Sequence, residues 1–316
     1  MTNRILLLVM LVIFPQLSLA GENYSGKKVL YIDSYHAGFE WSDGIANGVR
    51  SVLEKTQAEW KIIHMDTKRH NSQEFMEAAA LQAKGVIEEF KPDVVIASDD
   101  NASKFLIAPY YKNTELPVVF CGVNWDASGY GFPAKNVTGM VEVALIPQLV
   151  NYLKKYAKGE RIGFIGADTL SAQKEYEYHQ KILNIHYSKA YFAKNFAQWS
   201  EMFAKLQYEV DMAVMLNYVG IPDWNQAEAR RFVEAQSRIP VGARNDWDMP
   251  YALIGVANSA EEQGSWAAQA ALKILEGVDP SKIPLTRNKQ GKLFFNPRLG
   301  KKLGIDTPPP FATLAD

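Results

Sequence analysis

The sequence predicts an α/β protein made of two doubly wound parallel-sheet lobes. Three observations predict it. Short runs such as 93–97 (D-V-V-I-A) and 117–121 (P-V-V-F-C) are apolar without alternation, as strands of a parallel sheet covered on both faces must be. Segments of helical spacing separate these runs. The alternation restarts after residues 139–143, with no low-complexity linker there, so the chain divides into halves of similar size.

The elements follow in order. Residues 28–33 (K-V-L-Y-I-D) read as a buried strand leading into a loop over 34–41. Helical spacing over 42–55 puts Ile45, Val49, Val52 and Leu53 on one face. A second strand covers 60–65. Asn71-Ser72-Gln73-Glu74 resembles a capping box, and the helix it opens runs to about Phe90, before Pro92. Strands at 93–97 and 117–121 flank a helix over 102–111. The segment 139–143 carries the chain into the second half. There, strands are expected at 161–165, 189–192, 212–216, from Val241 and at 253–256. Helices are expected over 146–156, 171–185, 199–208 and 223–236. A long helix over 259–275 carries alanines on one face. The tail offers strand-like pieces at 283–285 and 292–295 and a small helix from Pro297, and Pro308-Pro309-Pro310 is expected to end ordered structure. The first lobe should hold 27–140 plus about 258–308, and the second 141–257.

Residues 1–20 read as a secretory signal peptide. Arg4 precedes the apolar run 5–14, and Ser18-Leu19-Ala20 forms a small-residue cleavage pattern before Gly21. The run is too short for a bilayer core of roughly 30 Å, which takes about 20 apolar residues. A mature, periplasmic, soluble monomer starting near Gly21 is therefore expected. No Cys follows the cleavage site to take a lipid. Outside the cytoplasm there is no ATP or NADH pool, and binding proteins are common.

Charge and composition exclude some classes. The 34 Lys and Arg nearly balance 35 Asp and Glu, for a net charge of −1, which argues against a nucleic-acid partner. Cys121 is the sole cysteine, so no intramolecular disulfide can form, and its apolar context reads as a small buried hydrophobe. The chain has no G-x-S-x-G elbow, P-loop or strand-borne G-x-G-x-x-G. Its histidines, His36, His64, His70, His179 and His186, form no metal-ligand motif. No cofactor, metal or catalytic residue is expected.

In open parallel sheets ligands sit beyond the carboxyl ends of the strands. That rule turns the strand order into candidate ligand-binding residues. They are Ser34, Tyr35 and Trp41 after the first strand, Ser98, Asp99 and Asn101 after the third, and Asn124 and Trp125 after the fourth. Glu142 lies at the first crossing. Asp168, Tyr218, Arg244, Asn245 and Trp247 follow strands of the second half. Rings and carboxylates together suit a ligand with an aromatic or apolar body and an amine, and Arg244 or a helix start could hold a carboxylate. Each residue also has a structural alternative. A Trp beside a strand can be a hinge or core anchor, Asp99 and Asp100 can cap a helix, and Arg244 can make an ion pair between lobes.

Taken together, Lys28-Val29-Leu30-Tyr31-Ile32, Pro92 through Ala97, Leu116 through Phe120, Asn136-Val137-Thr138-Gly139, and the tail from Phe295-Asn296 to Leu303-Gly304-Ile305 resemble one family. It is the ABC transporter substrate-binding proteins with the type I periplasmic binding fold, and the resemblance covers about Lys27 to Pro308. It implies two lobes joined by a three-stranded hinge, a ligand closed between them and no catalysis. Some members look like binders of aromatic amino acids. The first loop, S-Y-H-A-G-F-E-W-S-D-G-I, is longer and more aromatic than usual, and looks more like the extracytoplasmic sensing domains of bacterial signalling receptors.

The reading is thus a periplasmic solute-binding protein that captures an amino acid or amine for an ABC permease. A ligand sensor partnering a membrane receptor is the first alternative, and a secreted α/β hydrolase the second.

Overall fold

The computed structural model describes residues 24–315, so the expected signal peptide lies outside the described residues. Two sheets organise the chain. The first contains β1 (Lys28–Asp33), β2 (Glu59–His64), β3 (Val94–Ser98), β4 (Val118–Asn124) and β5 (Val137–Glu142). The second contains β6 (Ile162–Ala167), β7 (Lys189–Ala193), β8 (Met212–Met215), β9 (Val241–Ala243) and β10 (Ile254–Asn258). The short β11 (Thr286–Arg287) joins the edge of the first sheet, in the order β11-β5-β4-β3-β1-β2. β12 (Gly291–Phe295) and β13 (Thr313–Leu314) join the second, in the order β13-β12-β10-β9-β8-β6-β7. All pairings are parallel except β10 with β12.

The first sheet shows why its strands read as unbroken apolar runs. Leu30, Ile32, Val95, Ala97 and Phe120 face one core with Ala79, Ala80, Ala83 and Ile87 of α2 (Gln73–Phe90). Val29, Tyr31, Val94, Ile96, Val119 and Cys121 face another, under α1 (Glu40–Leu53) and α8 (Ala260–Leu275). Each successive residue meets a covered face. The second sheet is covered by α4 (Ile146–Lys154) and α6 (Phe196–Glu209) on a core that includes Leu149, Leu153, Trp199 and Phe203.

α1 and α8 approach closely because both carry glycine at the contact. A Cβ on Gly264 would lie 2.0 Å from the Ile45 carbonyl oxygen, and one on Gly48 2.3 Å from that of Glu261. The long Ala-rich helix thus returns the chain to the first lobe.

Several boundaries differ from the expected ones. The first helix begins at Glu40, so Trp41 lies in its first turn rather than in the loop. Asp43 accepts from Gly38 N at 3.0 and 3.1 Å and so satisfies a donor ahead of that turn. The expected helix over 102–111 is a short α3 (Asp99–Ala102) that widens into a π-helix over Ser103–Tyr111, with Pro109 inside it. Side-chain caps fix other starts. Ser72, Asn195, Asn225 and Ser259 accept from the backbone at the heads of α2, α6, α7 (Gln226–Gln236) and α8.

The tail differs most. The expectation gave residues up to about 308 to the first lobe. Only α8 and β11 belong there. β12 pairs with β10 from Ile254↔Phe295 to Asn258↔Gly291, and α9 (Pro297–Leu303) also belongs to the second lobe, where Leu299 joins its core. Nor does the proline run end the structure, because β13 pairs with β12 beyond it. The chain crosses between sheets three times, after β5, after β10 and after β11. Val143 N donates to Asn288 Oδ1 at 2.7 Å, and Ser259 N to the Gln290 carbonyl at 3.2 Å, tying the crossings together. Glu262 accepts from Lys289 N and Gln290 N at 2.8–3.0 Å. Among the described residues no helix is long and apolar enough to cross a membrane.

Candidate ligand-binding cleft

A cleft of about 680 Å³ opens between the lobes at the carboxyl ends of their strands. The first lobe contributes Tyr35 and Phe39 from the β1–α1 connection, Glu40, Trp41 and Asp43 from the start of α1, Lys68 after β2, Asp99 after β3 and Asn124 at the end of β4. The second contributes Arg244, Asn245, Asp246 and Trp247 after β9, with Lys292 and Phe294 of β12. The floor is the hinge, where Glu142, Asn258 and Glu261 meet. Such a concave, mixed wall is what small-molecule sites look like.

Asp99 is the most unusual group on this wall. It is 2% exposed and holds φ at 69°, a left-handed conformation that Asp tolerates better than most residues. Gly122, itself at φ 70°, leaves room for it, since a Cβ there would lie 2.9 Å from Asp99 Oδ1. Trp41 Nε1 donates to Oδ1 at 2.9 Å, while Oδ2 is buried and finds no hydrogen-bond partner among the described residues. Burial pushes the Asp99 carboxyl well above the ordinary aspartate value. The Trp41 hydrogen bond offsets part of that, and the carboxylates of Asp33, Glu142 and Asp100 add to it.

Glu142 lies at the hinge, where Asn258 Nδ2 donates to its Oε1 at 2.8 Å. Burial raises its pKa, and Arg244 and Asn258 act against that. Arg244 donates to Glu175 of α5 (Leu170–Lys181). Burial works against its charge, but Glu175 and Glu142 outweigh that and hold the guanidinium above the usual arginine value. Tyr35 and Phe39 pack edge-to-face, and Lys68 Nζ lies 5.0 and 4.9 Å from their ring centroids. Trp247 is 57% exposed at the rim.

Of the expected site residues, Tyr35, Trp41, Asp99, Asn124, Glu142, Arg244, Asn245 and Trp247 line the cleft. The others do not line it, for local reasons. Ser34 is buried, donating to the Ser98 carbonyl and accepting from Ala102 N at 2.8 Å, so it braces the start of α3. Ser98 is buried between Tyr31 and Asp33. Asn101 donates to Thr67 Oγ1 at 2.9 Å and secures the loop after β2. Trp125 packs on Tyr178 and His179 of α5, with centroids 5.2 and 5.8 Å apart, and is an anchor between the lobes. Asp168 accepts from Gln173 at 2.9 Å at the head of α5. Tyr218 stacks on Trp224 at 4.9 Å within the second lobe. The ion pair expected of Arg244 forms within the second lobe rather than between the lobes.

Sequence reasoning missed Lys68, Asp43, Asn258, Glu261 and Lys292. The strand-end rule could have found two of them. Lys68 follows β2 and Asn258 ends β10, two strand ends that contribute none of the expected site residues.

Known proteins place this arrangement. The family model for ABC transporter substrate binding proteins matches residues 39–316, so the chain belongs to that family. A ligand-free, open substrate binding protein with adhesive properties from Clostridium difficile has a TM-score of 0.69 at 16% identity, over 92% of this chain and 99% of that one. The ABC domain in complex with L-Trp from Streptococcus pneumonia gives 0.55 at 18%, over the same shares. A periplasmic ribose ABC transporter protein from Conexibacter woesei gives 0.52 at 13%, over 86% and 92%. At these identities the likeness is one of fold, and the fold is the type I periplasmic binding fold. No curated protein matches the chain.

Proposed function

We propose that this is a periplasmic, monomeric solute-binding protein. It captures a small organic amine, an amino acid or a simpler amine with an aromatic or apolar body, and presents it to an ABC permease without chemical change. The observation that carries the reading is the pairing of Asp99, buried with one oxygen unpartnered, with the ring faces of Tyr35, Phe39 and Trp41 on one wall. A buried carboxylate of this kind favours an arriving ammonium, and the rings favour an apolar or aromatic body. The L-Trp in the Streptococcus pneumonia structure supports an aromatic body. Binding proceeds by rotation of the lobes about the three crossings, with Glu142 and Asn258 closing around the ligand from the hinge.

A sensory role has one observation in its favour. The aromatic β1–α1 connection forms much of the first-lobe wall, and it is the segment that looks like receptor sensing domains. Neighbouring genes separate the two readings, a permease with an ATPase against a kinase or cyclase. Thermal-shift screening of amino acids, amines, purines and sugars tests the ligand class. Stabilisation by at least one amine is expected, about 2.7 kcal/mol at a hundred times its Kd. A response to sugars or inorganic anions alone would overturn the reading of the cleft.

A further inference from the structure

The charged groups of the cleft are unequally committed. Its positive groups are Lys68, Arg244 and Lys292. Arg244 is bound to Glu175 and faces Glu142. Lys292 Nζ lies 3.5 Å from Glu261 Oε1. Lys68 rests on the Tyr35 and Phe39 rings, 5.0 and 4.9 Å from their centroids. Against these stand Glu40, Asp43, Asp99, Glu142, Asp246 and Glu261. Asp99 is buried and keeps one oxygen unpartnered among the described residues. Tyr35 reports the same field on the first-lobe wall. Its hydroxyl is raised by burial first, and then by Asp99, Asp100, Glu142 and Asp33.

We propose that the cleft selects an organic cation that carries an ammonium and no free carboxylate, that is, a decarboxylated amino acid or similar biogenic amine rather than a zwitterion. This rests on the cleft being the ligand site, as proposed above. Asp99 Oδ2 is the ammonium acceptor, and Trp41 holds the other oxygen in place. A ligand carboxylate would have to break the Arg244–Glu175 or Lys292–Glu261 pair or pull Lys68 from its rings. It would also sit in the field of Glu142 and Asp246. Specificity here comes from repulsion of the zwitterion as much as from attraction of the amine.

The test is calorimetric titration at neutral pH with matched pairs: phenylalanine and phenethylamine, tyrosine and tyramine, tryptophan and tryptamine, leucine and isoamylamine, arginine and agmatine. In every pair that binds, the amine is expected to bind at least tenfold more tightly than its amino acid. Asp99→Asn, which suits the same backbone conformation, should weaken the amine at least tenfold while circular dichroism and thermal unfolding show an intact fold. An amino acid binding as tightly as its amine, or an Asp99→Asn protein that binds the amine unchanged, would overturn the inference and leave the solute-binding reading standing. If no amine in the panel binds, the inference falls. If every other small molecule fails as well, the solute-binding reading falls with it.

Discussion

Trp41 Nε1 donates to Asp99 Oδ1 at 2.9 Å, joining the first turn of α1 to the residue that follows β3. The bond gives a buried carboxylate a donor on Oδ1, while Oδ2 has no hydrogen-bond partner among the described residues. Trp41→Phe keeps the ring and removes the donor. It should weaken amine binding by about 0.5–1.5 kcal/mol. It should also change the pH profile. The Trp41 bond lowers the Asp99 pKa, so its loss raises that pKa further. Amine binding needs the carboxylate, so affinity climbs as pH rises through the Asp99 pKa, and in the variant that climb should move to higher pH. Titration calorimetry across pH checks both effects.

Asp248 gives a stability signature. It is buried beside the cleft loop, accepts from Asn245 at 2.9 Å, and is pushed up to about 6 by burial. Its folded pKa lies above the unfolded value of 3.8, so the folded state holds the proton longer. The stability this contributes is present below about pH 4 and is lost as pH rises to about 6. His179, lowered to about 3 by burial and by Arg244, runs the other way, losing stability as pH falls below its unfolded value of 6.5. A difference between proteins removes that background. Asp248→Asn should gain on the parent as pH rises from about 4 to 6 and level off near 2–3 kcal/mol, measured by urea unfolding.

Trp125 packs across the lobe boundary. It is half-buried against Tyr178 and His179. Trp125→Ala should cost about 1–3 kcal/mol of stability through lost ring burial. X-ray scattering without ligand should show a changed distribution of lobe separations. Unchanged unfolding and scattering would show that the ring contact carries nothing.

The α1–α8 contact sets the lip of the cleft. Gly264→Ala would place a methyl 2.0 Å from the Ile45 carbonyl oxygen, inside two helix backbones that cannot yield locally. A loss of about 1–3 kcal/mol is expected, at the upper end of that range. Gly85→Ala, on α2 across the first sheet, meets nothing within 4 Å and should be neutral or slightly stabilising. Denaturant midpoints of the two variants make the comparison.

Much of this was legible in the sequence. The apolar runs of β1, β3 and β4 had to be strands covered on both faces, and the strand-end rule reached seven residues of the cleft wall. What it could not supply was side-chain direction. Ser98 and Asp99 are consecutive, yet one points into the sheet toward Tyr31 and Asp33 while the other lines the cleft. Partner choice was equally hidden. Trp125 and Tyr218 follow strands as ligand residues do, but nearby rings on α5 and at Trp224 take them. The tail was misassigned although a three-stranded hinge was expected. A chain that starts in one lobe and crosses three times must end in the other, as β12 and α9 do.

The most direct measurement is mass spectrometry of small molecules released by denaturing protein purified without dialysis from its native host. One organic base, close to one per chain, is expected, and it should be absent from the Asp99→Asn protein prepared the same way. A stoichiometric sugar or acid, or no compound held by either protein, would contradict that expectation.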